Sequence, residues 1–237
     1  MEDISKLIQD RKSSRGPFDP KRPVSARDLA QILEAGRWAP TAHNMQNFEI
    51  VVVDDPKLLE AMTKIKNPLS MEFVKENYAQ LSFSEEELKR KKTGILATRF
   101  PPAWRDPKAS EEQLRATERP LPTSPTMLFL VYDPNRRAPA SEGDFLGVIS
   151  LGCATQNMWL IAAYLGIGFH VVSSYAGAGV QKAVKQILGI PDALTLVYAI
   201  RLGYPIAPVS SGDYLRVRRE VVDFVHHNGF ANSRWLS

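Results

Sequence analysis

Two clusters of arginine lie near opposite ends of a chain of 237 residues. Residues 11–15 read Arg-Lys-Ser-Ser-Arg, a run of three cations and two hydroxyls. Guanidinium forks and hydroxyl donors match the oxygens of a phosphate, so this segment predicts an anion site. On spacing alone, a solvated run of charge remains the alternative. Near the other end, Arg216 and Arg218 point to the same side if their segment is extended. The two clusters form one site only if the fold brings them together.

A short polar connection, residues 39–46, is the second candidate for chemistry. It reads Ala-Pro-Thr-Ala-His-Asn-Met-Gln and lies between a predicted helix and a predicted strand. Such loops present hydrogen-bonding groups from a rigid scaffold, although composition does not reject a helix stop followed by a turn. His43 forms no recognisable ligand pattern with His170, His226 or His227, so the sequence predicts no metal site.

Other chemical motifs are weak or missing. Residues 177–179 (Gly-Ala-Gly) resemble half of a dinucleotide fingerprint, but Lys182 replaces the third glycine and no acid follows at the required distance. A strand-to-helix turn is the simpler interpretation. Cys153 lies on an apolar helix with no base beside it, which indicates an inert core thiol. The chain has no GxSxG, HExxH, GxxxxGK[ST] or CxxC motif, which excludes the commonest hydrolase, metalloprotease, NTPase and thiol-redox classes.

The hydrophobic periodicity outlines the scaffold that must position these candidates. Ser25, followed by Asp28, is the predicted N-cap of an amphipathic helix. A proline-rich stretch, residues 101–125, is predicted to be an excursion outside the core. One domain of residues 1–237, with an insertion or lid at about 66–125, is the simplest account. The predicted helices are 4–11, 25–38, 56–65, 71–92, 144–166 and 180–188, and the predicted strands are 48–53, 127–132, 168–173 and 194–202. The tail, residues 213–237, is predicted to be extended and then polar.

The helix predicted at 144–166 organises the rest of the chain. Residues 145–181 contain no Asp, Glu, Lys or Arg, in a chain that is 24% charged. A helix that is apolar all round is buried in a protein core or in a membrane, and the polar groups near its middle favour the core. Small residues recur along it at helical spacing, so we expect that stripe to contact a second subunit. The stripe consists of Gly147, Ser150, Ala154 and Asn157.

Composition restricts the partners and the compartment. The net charge of +4 and the pI near 9.1 are mild, and basic residues are scattered among acidic ones. This pattern favours small anionic ligands over nucleic acid. A single cysteine excludes an intrachain disulfide, and the N-terminus lacks an apolar signal run. We therefore expect a cytoplasmic protein that does not enter a membrane.

Five regions, in the same order, resemble landmarks of the nitroreductase family of FMN flavoproteins. The resemblance runs through nearly the whole chain except about residues 60–125. Two departures are Asn47-Phe48, where the family continues with Pro-Trp, and Lys12, where Arg or His is commoner. The matching regions are RKSSRGPF (11–18), WAPTAHNMQ (38–46), the central helix (152–166), LGIP (188–191) with LGYP (202–205), and RVR (216–218).

The resemblance implies an α+β sandwich, with a mixed, mainly antiparallel sheet flanked by helices, that forms an intertwined homodimer. FMN would lie at the subunit interface, and the partner subunit would supply the residues between Pro40 and Asn44. The cofactor would carry the chemistry, accepting a hydride from NADH or NADPH and passing it to a nitroaromatic, quinone or related acceptor. No catalytic side chain is then required. The implied FMN contacts are Arg11, Lys12, Ser13, Arg15, Pro40, Thr41, Ala42, Asn44, Ser173, Ser174, Arg216 and Arg218.

The predicted acceptor contacts are His43, Phe100 and Trp104. The two aromatic residues flank stiff prolines, which suits a cover over a flat ligand, whereas an anchor for the insertion is the alternative role of Trp104. Three other functions remain open. The protein could be a flavin-binding sensor or carrier without turnover, a specialised branch such as a reductive dehalogenase, or a colourless nicotinamide-binding enzyme that uses residues 177–179.

Overall fold

The computed structural model describes residues 3–68, 86, 120–139, 143, 145–206, 218 and 220–231. The chain divides into two compact units, one of Met1–Asn67 with Arg119–Val209 and one of Pro68–Glu118 with Ser210–Ser237. The fold described below is that of the first unit. In the second unit, the described part of the tail contains a 3-10 helix at Val221–Asp223. The single-domain organisation stays a prediction.

Five α-helices lie in the described part of the first unit. The structure confirms five predicted helices to within two residues at each end. Ser25 caps the second helix as predicted, because its Oγ accepts a hydrogen bond from the Asp28 N–H at 3.1 Å. The helix predicted at 71–92 lies almost wholly outside the described residues. The helices are α1 (Ile4–Asp10), α2 (Ala26–Arg37), α3 (Pro56–Thr63), α4 (Phe145–Tyr164) and α5 (Ala178–Leu188).

The four described strands form one sheet in the order β1-β2-β4-β3. They are β1 (Phe48–Val53), β2 (Thr126–Tyr132), β3 (Gly168–Val172) and β4 (Thr195–Gly203). Every pairing among them is antiparallel. The predicted α+β class is therefore confirmed, while the parallel part that a mixed sheet implies does not occur among these four strands.

Helices cover both faces of the sheet, and β2 shows why. Every residue of β2 is buried, because its alternating side chains enter two separate cores. Phe129 and its neighbours on one face pack with Met62 of α3 and Val184 of α5. Leu130 and its neighbours on the other face pack with residues of α2 and α4. The result is the predicted sandwich of helices on a sheet.

The small-residue stripe of α4 faces the interior of its own chain. Ala154 is 0% exposed, and a Cβ added to Gly147 would come within 2.5 Å of the Tyr132 hydroxyl oxygen. The Asn157 Nδ2 donates to the Ala35 carbonyl of α2 at 3.1 Å. The prediction that this stripe contacts a second subunit is therefore wrong. Its small side chains instead let α2 and β2 approach α4 closely.

Two further features concern what is core. Among the described residues, α4 is the one helix long and apolar enough to cross a membrane, with a mean hydropathy of 1.4. Core helices share that length and composition, and α4 packs on α2. The end of the proline-rich stretch is also inside, since Leu121 is 1% exposed. The excursion prediction is wrong for that end, and residues 101–119 lie outside the described part.

Candidate active site

The basic segment, residues 11–15, lies along β3 at the edge of the described sheet. The Ser14 N–H donates to the Phe169 carbonyl at 2.9 Å, which extends the hydrogen bonding of the sheet. The Trp159 Nε1 of α4 donates to the Lys12 carbonyl at 3.2 Å. Ser14 is buried and Ser13 is half-buried, so the Ser13 hydroxyl keeps the access that its predicted role needs.

Phe18 fixes the far end of this segment against the sheet. A Cβ on Gly168 or on Gly203 would collide with the Phe18 ring, so the lack of a side chain at both positions lets the ring settle there. Phe18 also forms an isolated antiparallel bridge with Pro205. The chain between residues 11 and 18 is thus held at both ends, and its cations start from a fixed backbone.

Arg11 has a defined orientation within the segment. Its guanidinium carbon lies 4.2 Å from the centroid of the Trp159 ring, a cation–π contact. The Trp159 ring stacks in turn on Phe169 at 4.9 Å between centroids. This stack restricts Arg11 to a small set of rotamers. Lys12 and Arg15 are exposed, as ligand-binding cations of a surface site would be.

Arg201 of β4, which sequence reasoning missed, lies on the face of the sheet opposite to Phe169 and Trp159. It is 8% exposed and opposes His170 in the β3–β4 register. Its Nη1 lies 3.3 Å from the His170 Nδ1. Burial, helped by the charges of Arg201 and Arg15, lowers the pKa of His170 to about 4, so the ring is neutral at pH 7. The signal in the sequence was one arginine inside the apolar strand LTLVYAIRL.

The polar loop, residues 39–46, contains a cluster of unusual backbone angles. A short 3-10 helix spans Ala42–Asn44, and the φ angles of His43, Asn44 and Gln46 are 50°, 53° and 44°. Residues other than glycine rarely adopt this left-handed region, because it costs free energy. Residues with such strained backbone angles cluster at functional sites. The Gln46 N–H donates to the Thr41 Oγ1 at 3.2 Å, and this contact helps to hold the turn.

This loop and the basic segment attach to different parts of α4. The Ala42 N–H donates to the Ser150 Oγ at 3.1 Å, near the start of the helix. The basic segment attaches at Trp159, about 13 Å further along at 1.5 Å per residue. Pro40, His43 and Asn44 are exposed, whereas Thr41 and Ala42 are half-buried. Within one chain, the two groups of candidate residues are therefore held at separate places.

Ser173 and Ser174 lie directly after β3, in a 3-10 helix at Ser173–Ala176. Ser173 is exposed and Ser174 is half-buried. Because Ser14 binds to β3 at Phe169, the two serines lie about 13 Å along the same strand from that point, at roughly 3.3 Å per residue. The basic segment and this serine pair therefore lie along the same edge strand, about 13 Å apart.

Several predicted residues lie elsewhere. Phe100, Trp104 and Arg216 are outside the described residues. Arg218 is described and exposed, and it belongs to the second unit. The described residues hold no group of three His, Cys, Asp or Glu side chains that would suit a metal ion.

Proteins of known sequence and structure are similar to this chain over most of its length. A protein of Archaeoglobus fulgidus, provisionally named NADH dehydrogenase/NAD(P)H nitroreductase, is 25% identical over 205 residues, which cover 86% of this chain and 87% of that one. A nitroreductase family protein of Clostridium difficile 630 has a TM-score of 0.60 at 15% identity, over 97% of this chain and 99% of that one.

Two further solved structures contain FMN. A provisionally named nitroreductase of Desulfovibrio desulfuricans, in complex with FMN, has a TM-score of 0.58 at 20% identity, over 97% of this chain and 99% of that one. A nitroreductase of Bacteroides fragilis with bound FMN has a TM-score of 0.54 at 19% identity, over 97% of this chain and 100% of that one. At such identities, the solved structures show a shared fold.

The sequence profile described as the nitroreductase family matches residues 8–204, from within the first helix to Tyr204 of the LGYP landmark. The match contains the basic segment, the polar loop, α4 and the serine pair. It confirms the resemblance inferred from the motifs, and the chain belongs to the nitroreductase family of oxidoreductases.

Proposed function

We propose that the protein is an FMN-dependent oxidoreductase that takes a hydride from NADH or NADPH and reduces nitroaromatic, quinone or related acceptors. The observation that supports this most is the basic segment, which is clamped to β3 with Arg11 stacked on Trp159. The serine pair follows the same strand. When bound, FMN supplies the hydride chemistry, and the side chains need only bind and orient it.

The donor set suits the two ends of FMN. Arg11, Lys12 and Arg15 are cations and Ser13 adds a hydroxyl, which together match a phosphate and the adjacent ribityl chain or ring edge. Burial, then the charges of Arg201 and Arg15, lower the pKa of His170, so Arg15 contributes positive charge on this side of β3. The hydroxyls of Ser173 and Ser174 would donate to the ring edge and stabilise the negative charge gained on reduction. Arg216 and Arg218 join the phosphate site by family resemblance.

We further propose that the site is completed by a second copy of the chain. The polar loop and the basic segment attach to α4 about 13 Å apart, and the family resemblance implies that the loop of a partner subunit contacts the FMN. The outer face of α4 also exposes Phe145, Val148 and Ile149, at 71%, 54% and 45%. An exposed apolar patch such as this one on α4 marks an interaction surface. Pro40, Thr41, Ala42 and Asn44 of the partner would contact FMN.

The remaining assignments complete this proposal. His43, Phe100 and Trp104 would contact the acceptor, and the protein would work in the cytoplasm as a homodimer. The name of the Archaeoglobus fulgidus relative supports NADH or NADPH as the electron donor. The two FMN-bound structures support the cofactor.

The absorption spectrum of the purified protein tests the function directly. We expect a yellow protein that loses its flavin absorbance when NADH or NADPH is added without oxygen, and regains it with a quinone or nitroaromatic compound. A yellow protein that stays yellow with both nucleotides would indicate a sensor or carrier. A colourless protein that takes up no added FMN would refute the proposal.

Arg11→Ala tests the phosphate site. Removing one charge-assisted contact costs about 1.5–3 kcal/mol, which is roughly a ten- to hundredfold loss in FMN affinity. Fluorescence titration of the apoprotein with FMN measures this loss. Arg37→Ala is the matched control, since Arg37 is an exposed arginine paired with Glu34 on α2. An Arg11→Ala protein that binds FMN as tightly as the Arg37→Ala protein would refute the role of Arg11.

A further inference from the structure

A cavity of about 520 Å³ opens beside Phe18 and Arg201. Its wall joins residues 17–23, the connection from β1 to α3, and residues 123–125. Proline fixes φ, so such a wall is already formed before a ligand binds and loses little entropy on binding. The prolines of the wall are Pro17, Pro20, Pro23, Pro56 and Pro125.

Arg201 supplies the one positive charge among the residues that line this cavity, all of which are described. Its Nε donates to the Thr123 carbonyl at 2.8 Å, and its Nη2 lies 3.5 Å from the Gly16 carbonyl. Its third hydrogen-bond partner is the neutral His170 ring, and its guanidinium carbon lies 4.8 Å from the centroid of the Phe18 ring, a cation–π contact. A guanidinium has five N–H donors, so these three contacts leave two. A buried cation with only neutral partners is costly, and an anion would offset that cost.

The cavity is distinct from the proposed FMN site. Successive side chains of β3 point to opposite faces of the sheet. Phe169 belongs to the core with α2 and α4, and it stacks on Trp159 beneath Arg11. His170 points the other way, with Arg201 beside it. Arg201 and Arg11 therefore lie on opposite faces of the sheet, while Arg15 lies near enough to His170 to help lower its pKa. None of the proposed FMN contacts lines the cavity.

We propose that this cavity binds a small organic monocarboxylate with an apolar body. The planar carboxylate would pair with the remaining donors of the Arg201 fork, a match that guanidinium makes better than any other side chain. The body would lie against Phe18, Leu59 and the proline wall. Asp54 is exposed and is the one acidic residue of the lining, so it disfavours ligands with a second negative charge.

Benzoate is the probe, and benzyl alcohol is its neutral counterpart. Isothermal titration of the FMN-saturated wild-type protein should show benzoate binding at least about tenfold more tightly than benzyl alcohol, the value of one charge-assisted contact. The flavin absorption spectrum should not change during the titration, because the ligand lies away from the flavin. The proposal would be overturned if benzoate and benzyl alcohol bound equally well, or if the flavin spectrum shifted with benzoate. It would also be overturned if benzoate did not bind at about 20 mM.

Three variants locate the site. Leu59→Trp should fill the cavity and abolish benzoate binding, whereas Glu60→Trp, at an exposed position of the same helix, should leave it unchanged. Asp54→Asn, at an exposed position where folding is not at risk, should tighten binding by about two- to fivefold, because a weak repulsion is lost. Benzoate affinity that is unchanged in both Leu59→Trp and Asp54→Asn would place the ligand elsewhere and refute this assignment.

Discussion

The two long faces of α4 are similar in polarity but differ in their surroundings. The inner face carries Ala154 and Met158, both 0% exposed, against α2 and the sheet. The outer face carries Phe145, which is 71% exposed, and Ile149, which is 45% exposed. Overall, 39% of the apolar window is buried. One chain therefore covers one face of its central helix and leaves the apolar side chains of the other face exposed.

The surroundings of the two faces, and not their hydropathy, therefore distinguish them. Gly147 lacks a side chain where β2 comes close, because a Cβ there would meet the Tyr132 ring, and Ala154 has no exposed surface. The outer face carries larger side chains such as Phe145 and Ile149, which the described residues leave exposed. Among the described residues, no heavy atom outside the helix lies within 4 Å of a Cβ added to Gly152, on the same face.

Overpacking each face in turn should give the largest effect. We expect Ala154→Trp to lower the free energy of unfolding by about 3 kcal/mol or more, because the indole has no room at a position with no exposed surface. Gly152→Trp is the matched control on the outer face, and it should leave the unfolding free energy of the isolated chain within about 0.5 kcal/mol.

Urea unfolding at low protein concentration measures both values. Equal losses in the two variants would mean that the faces are equally crowded, and the comparison would fail. A fully stable Ala154→Trp protein would contradict the crowding of the inner face unless α2 had shifted to make room for the indole. A crystal structure of that variant would reveal such a shift.

A charge on the outer face should give an intermediate effect on assembly. Ile149→Asp removes an apolar side chain that a two-fold dimer would bury twice, so association should weaken by about 2 kcal/mol, roughly thirtyfold in the dissociation constant. The unfolding midpoint of the dilute chain should change little. Sedimentation equilibrium of Ile149→Asp and of the conservative Ile149→Leu separates lost burial from altered shape. A wild-type protein that stays monomeric would refute the proposed dimer.

The sequence predicted the elements of the first unit well, for a physical reason. A long apolar run between turn residues, such as residues 145–164, has few ways to satisfy its backbone except as one buried helix. Whether the small-residue stripe faces its own chain or a second subunit was not predictable in the same way. Small residues suit a contact with α2 of the same chain as well as they suit a second subunit.

The candidate site was predictable where a motif carried it. The spacing within residues 11–15 and 38–46 identified Arg11 and the loop, whose left-handed angles at His43 and Asn44 then became visible. Arg201 was missed because its value depends on the register that places it opposite His170. The burial of Ser14 rather than Ser13 depends on pairing with β3, which the sequence of the segment does not contain.

The smallest effect should come from the one hydrogen bond that links the inner face of α4 to the polar loop. The Ser150 Oγ donates to the Leu146 carbonyl at 2.8 Å and accepts from the Ala42 N–H at 3.1 Å. Ser150→Ala should cost about 1 kcal/mol, because the Ala42 N–H loses its acceptor. Since the loop holds costly left-handed angles, this loss should open the loop before it unfolds the core.

Amide hydrogen exchange separates that local opening from a global loss. In Ser150→Ala, the amide of Ala42 and its neighbours in the loop should exchange about fivefold faster, while amides of β2 keep their wild-type rates. Thr155→Val is the control, because it removes a hydroxyl of α4 that bonds to Tyr198 and not to the loop. If both variants speed exchange in the loop equally, Ser150 acts through the helix as a whole. An acceleration confined to Ser150→Ala would mean that the inner face of α4, besides packing the core, sets the conformation of a loop that the proposed dimer presents to the flavin of its partner.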